Sequence, residues 1–257
     1  GNGWWPSSHA PLPLLNPDSG LANAKVPFAE DVSHRRLELL GQLDAEFGSS
    51  CDDRNVRSYN QFYDATLQLV RGSDVKAFDL TAEPADVRER YGKSRFGQGC
   101  LLARRLIENG VRFVEVRSDG WDMHAALEDR LSNRVGELDV VLSTLIQDLE
   151  SRGLLDSTLV AVTTEFGRKP EIEGGGRGHH PLVFTTVLAG GGVKRGYVHG
   201  ASDAKGYAPE GDGTSPGSLH ATLAHAVGLP VQTDIFTPEG RPMQVGNRAA
   251  PVNAVFI

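Results

Sequence analysis

The chain has 257 residues, a hydrophobic fraction of 39% and a formal net charge of −7. That length and composition allow one large α/β domain or two small ones with a real core. They speak against nucleic acid as a partner, since phosphate-backbone binding needs a basic surface, and no run of about 18 apolar residues suggests a membrane span. Residues 1–32 are rich in Pro, Asn, Ser and Gly and predict an irregular arm pinned by Trp4 and Trp5. Ser33 is a plausible cap for a helix carrying Leu37, Leu40, Leu43 and Phe47 on one face. A second helix is expected over 54–71, stopped by Gly72, and then a shorter helix and polar connector over 73–95. Cys51 and Cys100 read as two unpaired thiols, because two cysteines fix no framework.

An α/β alternation follows. A helix over 96–109 ends at Asn109-Gly110, and the alternating, β-branched 111–116 predicts a strand. Leu127, Leu131, Val135, Leu138, Leu142, Leu145 and Leu149 recur at spacings of three and four, giving the strongest helix, over about 124–151, with its stripe expected on the sheet. The apolar run 158–163 suits a central parallel strand, and 182–189 suits another, stopped by Gly190-Gly191-Gly192. A Gly-rich excursion over 193–217 leads to a last helix, about 216–227. Strand–helix–strand order predicts an α/β fold, a parallel or mixed sheet with helices on both faces, as one domain over 33–257.

Three loops carry the chemistry, each after or between expected strands, where open α/β sheets bind ligands. Asp122 and His124 are two apart, and a carboxylate with an imidazole suits a divalent metal; the alternative is Asp122 as an N-cap. Glu165 ends an apolar run, where a carboxylate needs a metal, a proton or a partner, and Arg168 could be that partner. Arg168 and Arg177 bracket a Gly-rich loop, and guanidinium forks match phosphate or sulfate oxygens. His179 and His180 are adjacent, so in an extended segment they point opposite ways and only one would ligate. His9, His34, His199, His220 and His225 lack partner spacing. No nucleophile elbow, His-Glu-x-x-His motif or phosphate-binding P-loop is present, and no catalytic nucleophile is identified.

Residues 96–116, Gly120-Trp-Asp-Met-His124, the run 148–156, Glu165-Phe-Gly-Arg168, the run 190–196 and Gly240-Arg-Pro242 together resemble a signature of the sulfatase-like "domain of unknown function 1501" family. The resemblance covers most of the chain from about residue 91 and residues 1–90 only loosely. It implies the alkaline phosphatase and sulfatase superfamily: a metal site at strand ends, hydrolysis of phosphate or sulfate esters, and a periplasmic or secreted setting. Carried over, the metal residues are Asp122, His124, Glu165 and one of His179 or His180, with Arg168 and Arg177 toward the anion. The expected ion is zinc, with manganese or calcium as alternatives. Phe166 stands where that superfamily has a histidine, and Gly178 where relatives often carry an aspartate, so a full second metal site is not expected.

The superfamily pattern places a metal aspartate and a nucleophilic serine, threonine or formylglycine precursor ahead of the matched region. Residues 1–90 show no equivalent. The chain is therefore expected to be the C-terminal part of a longer protein, and weakly active or inactive alone. Two functions follow as expectations: a metal-dependent hydrolase acting on a small anionic ester, or a non-catalytic module binding anions or sulfated and phosphorylated glycans through the same loops.

Overall fold

The computed structural model describes residues 3–6, 9–24, 28–51, 53–211 and 213–257. Parts of the expected arm, residues 1–2, 7–8 and 25–27, lie outside the described residues. Most helices form close to where apolar spacing and caps put them. Helix α1 is Glu30–Ser50, α2 Arg54–Arg71, α3 Ala85–Arg90, α4 Arg95–Glu108, α5 Leu127–Ser151 and α6 Pro216–Ala226. Asp53 caps α2 by accepting from the Asn55 amide at 2.7 Å, and Gly72 closes it by donating to the Gln68 carbonyl at 2.9 Å. Ser94 and Ser215 cap α4 and α6 in the same way.

Ser33 does not cap α1. That helix starts three residues earlier, with Glu30 and Asp31 in its first turn, where acidic groups complement the helix dipole. No residue of α1 is buried, and Leu39, Leu43 and Phe47 are exposed. Trp4 and Trp5 stack on each other at 4.5 Å, leaving Trp5 largely exposed, so they do not pin the arm by burial. The arm is instead held by Leu14 and Leu21 against the core, by buried Pro17 and by an Asp18–Arg88 ion pair.

The core gathers around α4. Leu101, Leu102, Leu106 and Cys100 pack with Ala77, Phe78, Leu80, Val87, Tyr91 and Val141. Fully burying a side chain such as Leu101 contributes about 1.5–3 kcal/mol. Helix α5 packs on α4, not on a sheet as its stripe suggested. Val141 and Leu149 are buried, Leu138, Leu142 and Leu145 are half-buried, and Leu131 and Val135 are exposed.

A charged network runs through this core. Arg104, 1% exposed, reaches Glu83 Oε2 at 2.6 Å and Glu108 Oε2 at 2.8 Å. Its Nε lies 2.9 Å from Asp148 Oδ2 without aiming its N–H at that oxygen. Asp148 also accepts from the Tyr91 hydroxyl at 2.9 Å and from Arg152 at 2.8 Å. Arg105 adds a second cation to Glu83.

The parallel sheet does not form. The described residues contain four two-stranded antiparallel pairs. Strand β1 (Leu159–Val162) pairs with β4 (Val187–Gly190), Leu159 opposite Gly190 and Val162 opposite Val187. Strand β2 (Gly167–Arg168) pairs with β3 (His179–His180), β5 (Ala201–Ser202) with β6 (Pro209–Glu210), and β7 (Ile235–Phe236) with β8 (Pro242–Met243). Parallel pairing needs a crossover of a dozen or more residues, usually a helix. Between β1 and β4 the chain folds into the β2–β3 hairpin instead and returns antiparallel. The expected strand over 111–116 has no strand partner among the described residues. Its alternation still sorts the side chains, with Val114 and Val116 against the core and Phe113 and Glu115 outward.

Candidate metal centre

Two loops that are far apart in sequence are stitched together by their backbones. The Arg177 amide donates to the Met123 carbonyl at 3.0 Å, and the Leu127 amide donates to the Gly175 carbonyl at 2.9 Å. Gly176 is buried where they cross, and a Cβ there would sit 2.1 Å from the His124 carbonyl carbon. Only glycine lets the second loop run this close to the first. The Gly-rich run thus carries no ligand itself and sets the approach of the two ligand-bearing segments. Gly167 plays the same part in β2, where a Cβ would meet the Val183 carbonyl oxygen at 1.8 Å.

The stitching brings three side chains to one point. Asp122 Oδ1 is 2.9 Å from His124 Nε2 and 3.0 Å from His179 Nε2, and the two imidazole nitrogens are 3.2 Å apart. Arg168 Nη1 reaches the same Asp122 oxygen at 2.7 Å and also donates to the Arg177 carbonyl at 3.3 Å. Phe166 lies under His179, ring centres 4.2 Å apart, and Arg168 stands 5.5 Å from the Phe166 ring centre. Hydrogen bonds from His179 and then Arg168 hold the Asp122 carboxyl down at about 2. Asp122 remains ionised across the physiological range.

The donor set fits a divalent cation. One oxygen and two nitrogens bound to a common ion at roughly 2.0–2.2 Å lie about 3.4 Å apart in a tetrahedron, close to the spacings here. Without a cation, two ring nitrogens face each other and share one carboxylate oxygen with Arg168, so three would-be donors compete for two lone pairs. All three ligand groups are exposed, leaving open positions for water or an anion.

Of the five expected ligands, Asp122, His124 and His179 converge. Glu165 is exposed and makes no side-chain hydrogen bond or ion pair among the described residues. Its expected partner Arg168 binds Asp122 instead. His180 is buried on the far side of β3, with Nε2 2.9 Å from the Tyr207 carbonyl oxygen. Arg177 is half-buried, its Nε enclosed without a hydrogen-bond partner, while its backbone amide and carbonyl join the two ligand loops. Among the described residues no hydroxyl or thiol hydrogen-bonds to the three ligand groups; Ser118 accepts from the Trp121 indole at 3.0 Å. Sequence reasoning missed Phe166 as the platform for His179, and missed Asp203 and Tyr207, whose Asp-Ala-Lys-Gly-Tyr run is a recognisable turn signal.

No helix among the described residues is long and apolar enough to cross a membrane. No curated protein and no solved structure matches the chain. A family model described as "Protein of unknown function (DUF1501)" matches residues 1–256, including the first 90 residues that the motif resemblance covers only loosely, and the chain belongs to that family.

Proposed function

We propose that the chain is a metal-dependent module of the alkaline phosphatase and sulfatase type, with one divalent ion, zinc first, held by Asp122, His124 and His179. The observation that carries this reading is the convergence of three lone-pair atoms within 4.8 Å on an exposed shelf. A bound zinc would supply Lewis-acid polarisation of an ester oxygen or of a water. Asp122 contributes the negative charge that makes the site attractive to a cation, and His124 and His179 contribute neutral nitrogen donors. Phe166 fixes the plane of His179. Arg168, next to the cluster, can offer a planar pair of N–H donors to a phosphate or sulfate group.

The second reading, a non-catalytic site for anionic esters or sulfated glycans, is favoured by the lack of a hydroxyl or thiol bonded to the cluster among the described residues. Both readings share the metal and the anion. They differ in turnover, because electrostatics without a positioned nucleophile leaves only a remnant of catalysis.

Calorimetric zinc titration of the wild type, Asp122→Asn and His124→Ala, followed by a panel of aryl phosphates and aryl sulfates, tests this. One zinc per chain, lost in both variants, is the expected result, with turnover weak or absent. No zinc binding by the wild type overturns the metal reading. Robust turnover abolished by His124→Ala would overturn the binding-module reading and show that this chain supplies its own nucleophile.

A further inference from the structure

Strands β2 and β3 are joined by two residue pairs, Gly167 with His180 and Arg168 with His179, followed by one further bond from the Lys169 amide to the Gly178 carbonyl at 3.0 Å. So short a ladder specifies its register weakly. Register matters here because a one-residue slip turns every side chain of a strand to the other face. In a His-His pair such a slip would present His180 to Asp122 and bury His179. Besides the backbone bonds that hold 175–177 to the first loop, a side-chain anchor on the pair itself can choose between them.

The chain after β4 provides it. The β5–β6 hairpin is built around Asp203, whose Oδ1 accepts from the Lys205 and Tyr207 amides at 2.9 Å each and whose Oδ2 accepts from the Ala208 amide at 3.1 Å. The Asp203 amide closes the turn on the Ala208 carbonyl at 2.8 Å. Tyr207 is thereby held rigidly, and it clasps the β2–β3 hairpin twice. Its carbonyl takes the hydrogen bond from His180 Nε2 at 2.9 Å, and its hydroxyl donates to Glu171. Its ring stands edge-on to His180, with centres 5.9 Å apart. Gly206 packs on Pro170 in the same hairpin, where an added Cβ would be 3.3 Å from the ring. His180 is 8% exposed, so a slip that broke its bond to Tyr207 would take a buried imidazole N–H from its partner.

We propose that His180 is a positioning residue of the metal centre: through its bond to the Tyr207 carbonyl it fixes the register of β3, so that His179 and not His180 faces Asp122 and His124. The Asp203–Tyr207 turn is the buttress of that contact. This rests on the reading of Asp122, His124 and His179 as zinc ligands. Partners that orient a metal ligand are commonly worth a factor of about 10–100 in metal affinity.

The test is zinc titration of the full chain as wild type, His179→Ala, His180→Phe, His180→Gln and Asp203→Ala, with the visible spectrum of the cobalt-loaded protein as a readout of ligand geometry. His180→Phe keeps the buried volume and loses the donor; it is expected to weaken zinc by about tenfold or more and to alter the cobalt spectrum. His180→Gln retains an N–H donor and is expected to recover most of the affinity. Asp203→Ala loosens an exposed turn without touching β3, so it keeps the proposal testable if His180→Phe does not fold; a loss of about threefold or more is expected. Wild-type zinc affinity in His180→Phe, or in Asp203→Ala should His180→Phe fail to fold, overturns this inference and leaves the metal reading intact, provided His179→Ala still loses zinc. A wild type that binds no zinc overturns both.

Discussion

Two charged clusters in this molecule are made of similar residues and behave in opposite ways. The network of Arg104, Glu83, Glu108, Asp148, Tyr91 and Arg152 lies in and beside the α4–α5 core, and its charges are matched by opposite ones at 2.6–2.9 Å. The cluster of Asp122, His124, His179 and Arg168 lies on the surface, and its donors crowd onto one oxygen. In the first, each carboxylate has its cations, and only the Arg104 Nε–H lacks an aligned acceptor. The second is crowded on one side and open on the other. Conspicuous charged residues therefore say little until their partners are known. Saturation marks structure, and unshared lone pairs at a surface mark a ligand site.

The sharpest way to break the comparison is to remove the cation at the centre of the first network. Arg104→Met leaves Glu83 with Arg105 and Asp148 with Arg152 as their remaining cations, and breaking this largely buried network is expected to cost about 3 kcal/mol in denaturant unfolding. A loss below about 1 kcal/mol would mean that water reaches the network, and the contrast between the clusters would collapse.

Gly176→Ala acts at the crossing of the two ligand loops. Its Cβ would collide with His124 backbone, so an overpacking cost of about 1–3 kcal/mol is expected together with loss of zinc binding. Unfolding and zinc titration on the same sample separate the two effects. Retention of zinc affinity would show that the loops tolerate separation, and that the ligands are less tightly placed than their spacing indicates.

Acid sharpens the comparison by a smaller amount. Burial alone would raise the Glu83 carboxyl, and hydrogen bonds from Arg104 and Arg105 more than offset it, so it is held below its ordinary value. Asp148 follows the same pattern, with Arg152 and Tyr91 offsetting burial. Because both are depressed in the folded state, their stabilisation is present above the unfolded values near pH 4 and is lost as pH falls through the folded ones. The expected slope is at most about 1.4 kcal/mol per pH unit for each proton taken up, confined to below about pH 4. Chemical unfolding followed from pH 7 to pH 2.5 measures it, and a flat profile below pH 4 would deny these two groups their role.

Some of this was legible in the residues alone. Helices α2, α4 and α6 begin and end within one or two residues of the expected 54–71, 96–109 and 216–227, with Gly72 and Asn109 as the stops, because such signals act within a few residues of themselves. That Asp122, His124 and a histidine of the 179–180 pair would converge was legible from their places in loops beside apolar runs, although Asp122 as an N-cap was an equally ordinary reading. The Arg104 network was not, since Glu83, Arg104 and Asp148 carry no shared spacing and meet only through the packing of α4 and α5. The stripe on α5 was read correctly as apolar and wrongly as sheet-facing, because periodicity gives a face and not its partner.

The sequence by itself determined which segments coil, where most of them stop and which loops carry metal-type donors. Those properties depend on local sterics and on hydrogen bonds spanning a few residues. Tertiary structure decided the rest: that β1 and β4 run antiparallel, that 111–116 stays unpaired among the described residues, that Arg168 goes to Asp122 and not to Glu165, and that His179 faces the cluster while His180 is anchored to Tyr207. Each of those is a choice between distant partners of similar chemistry. Such choices are made by the geometry of the assembled chain, since a strand edge, a guanidinium or an imidazole has the same affinity for a suitable partner wherever in the sequence that partner lies.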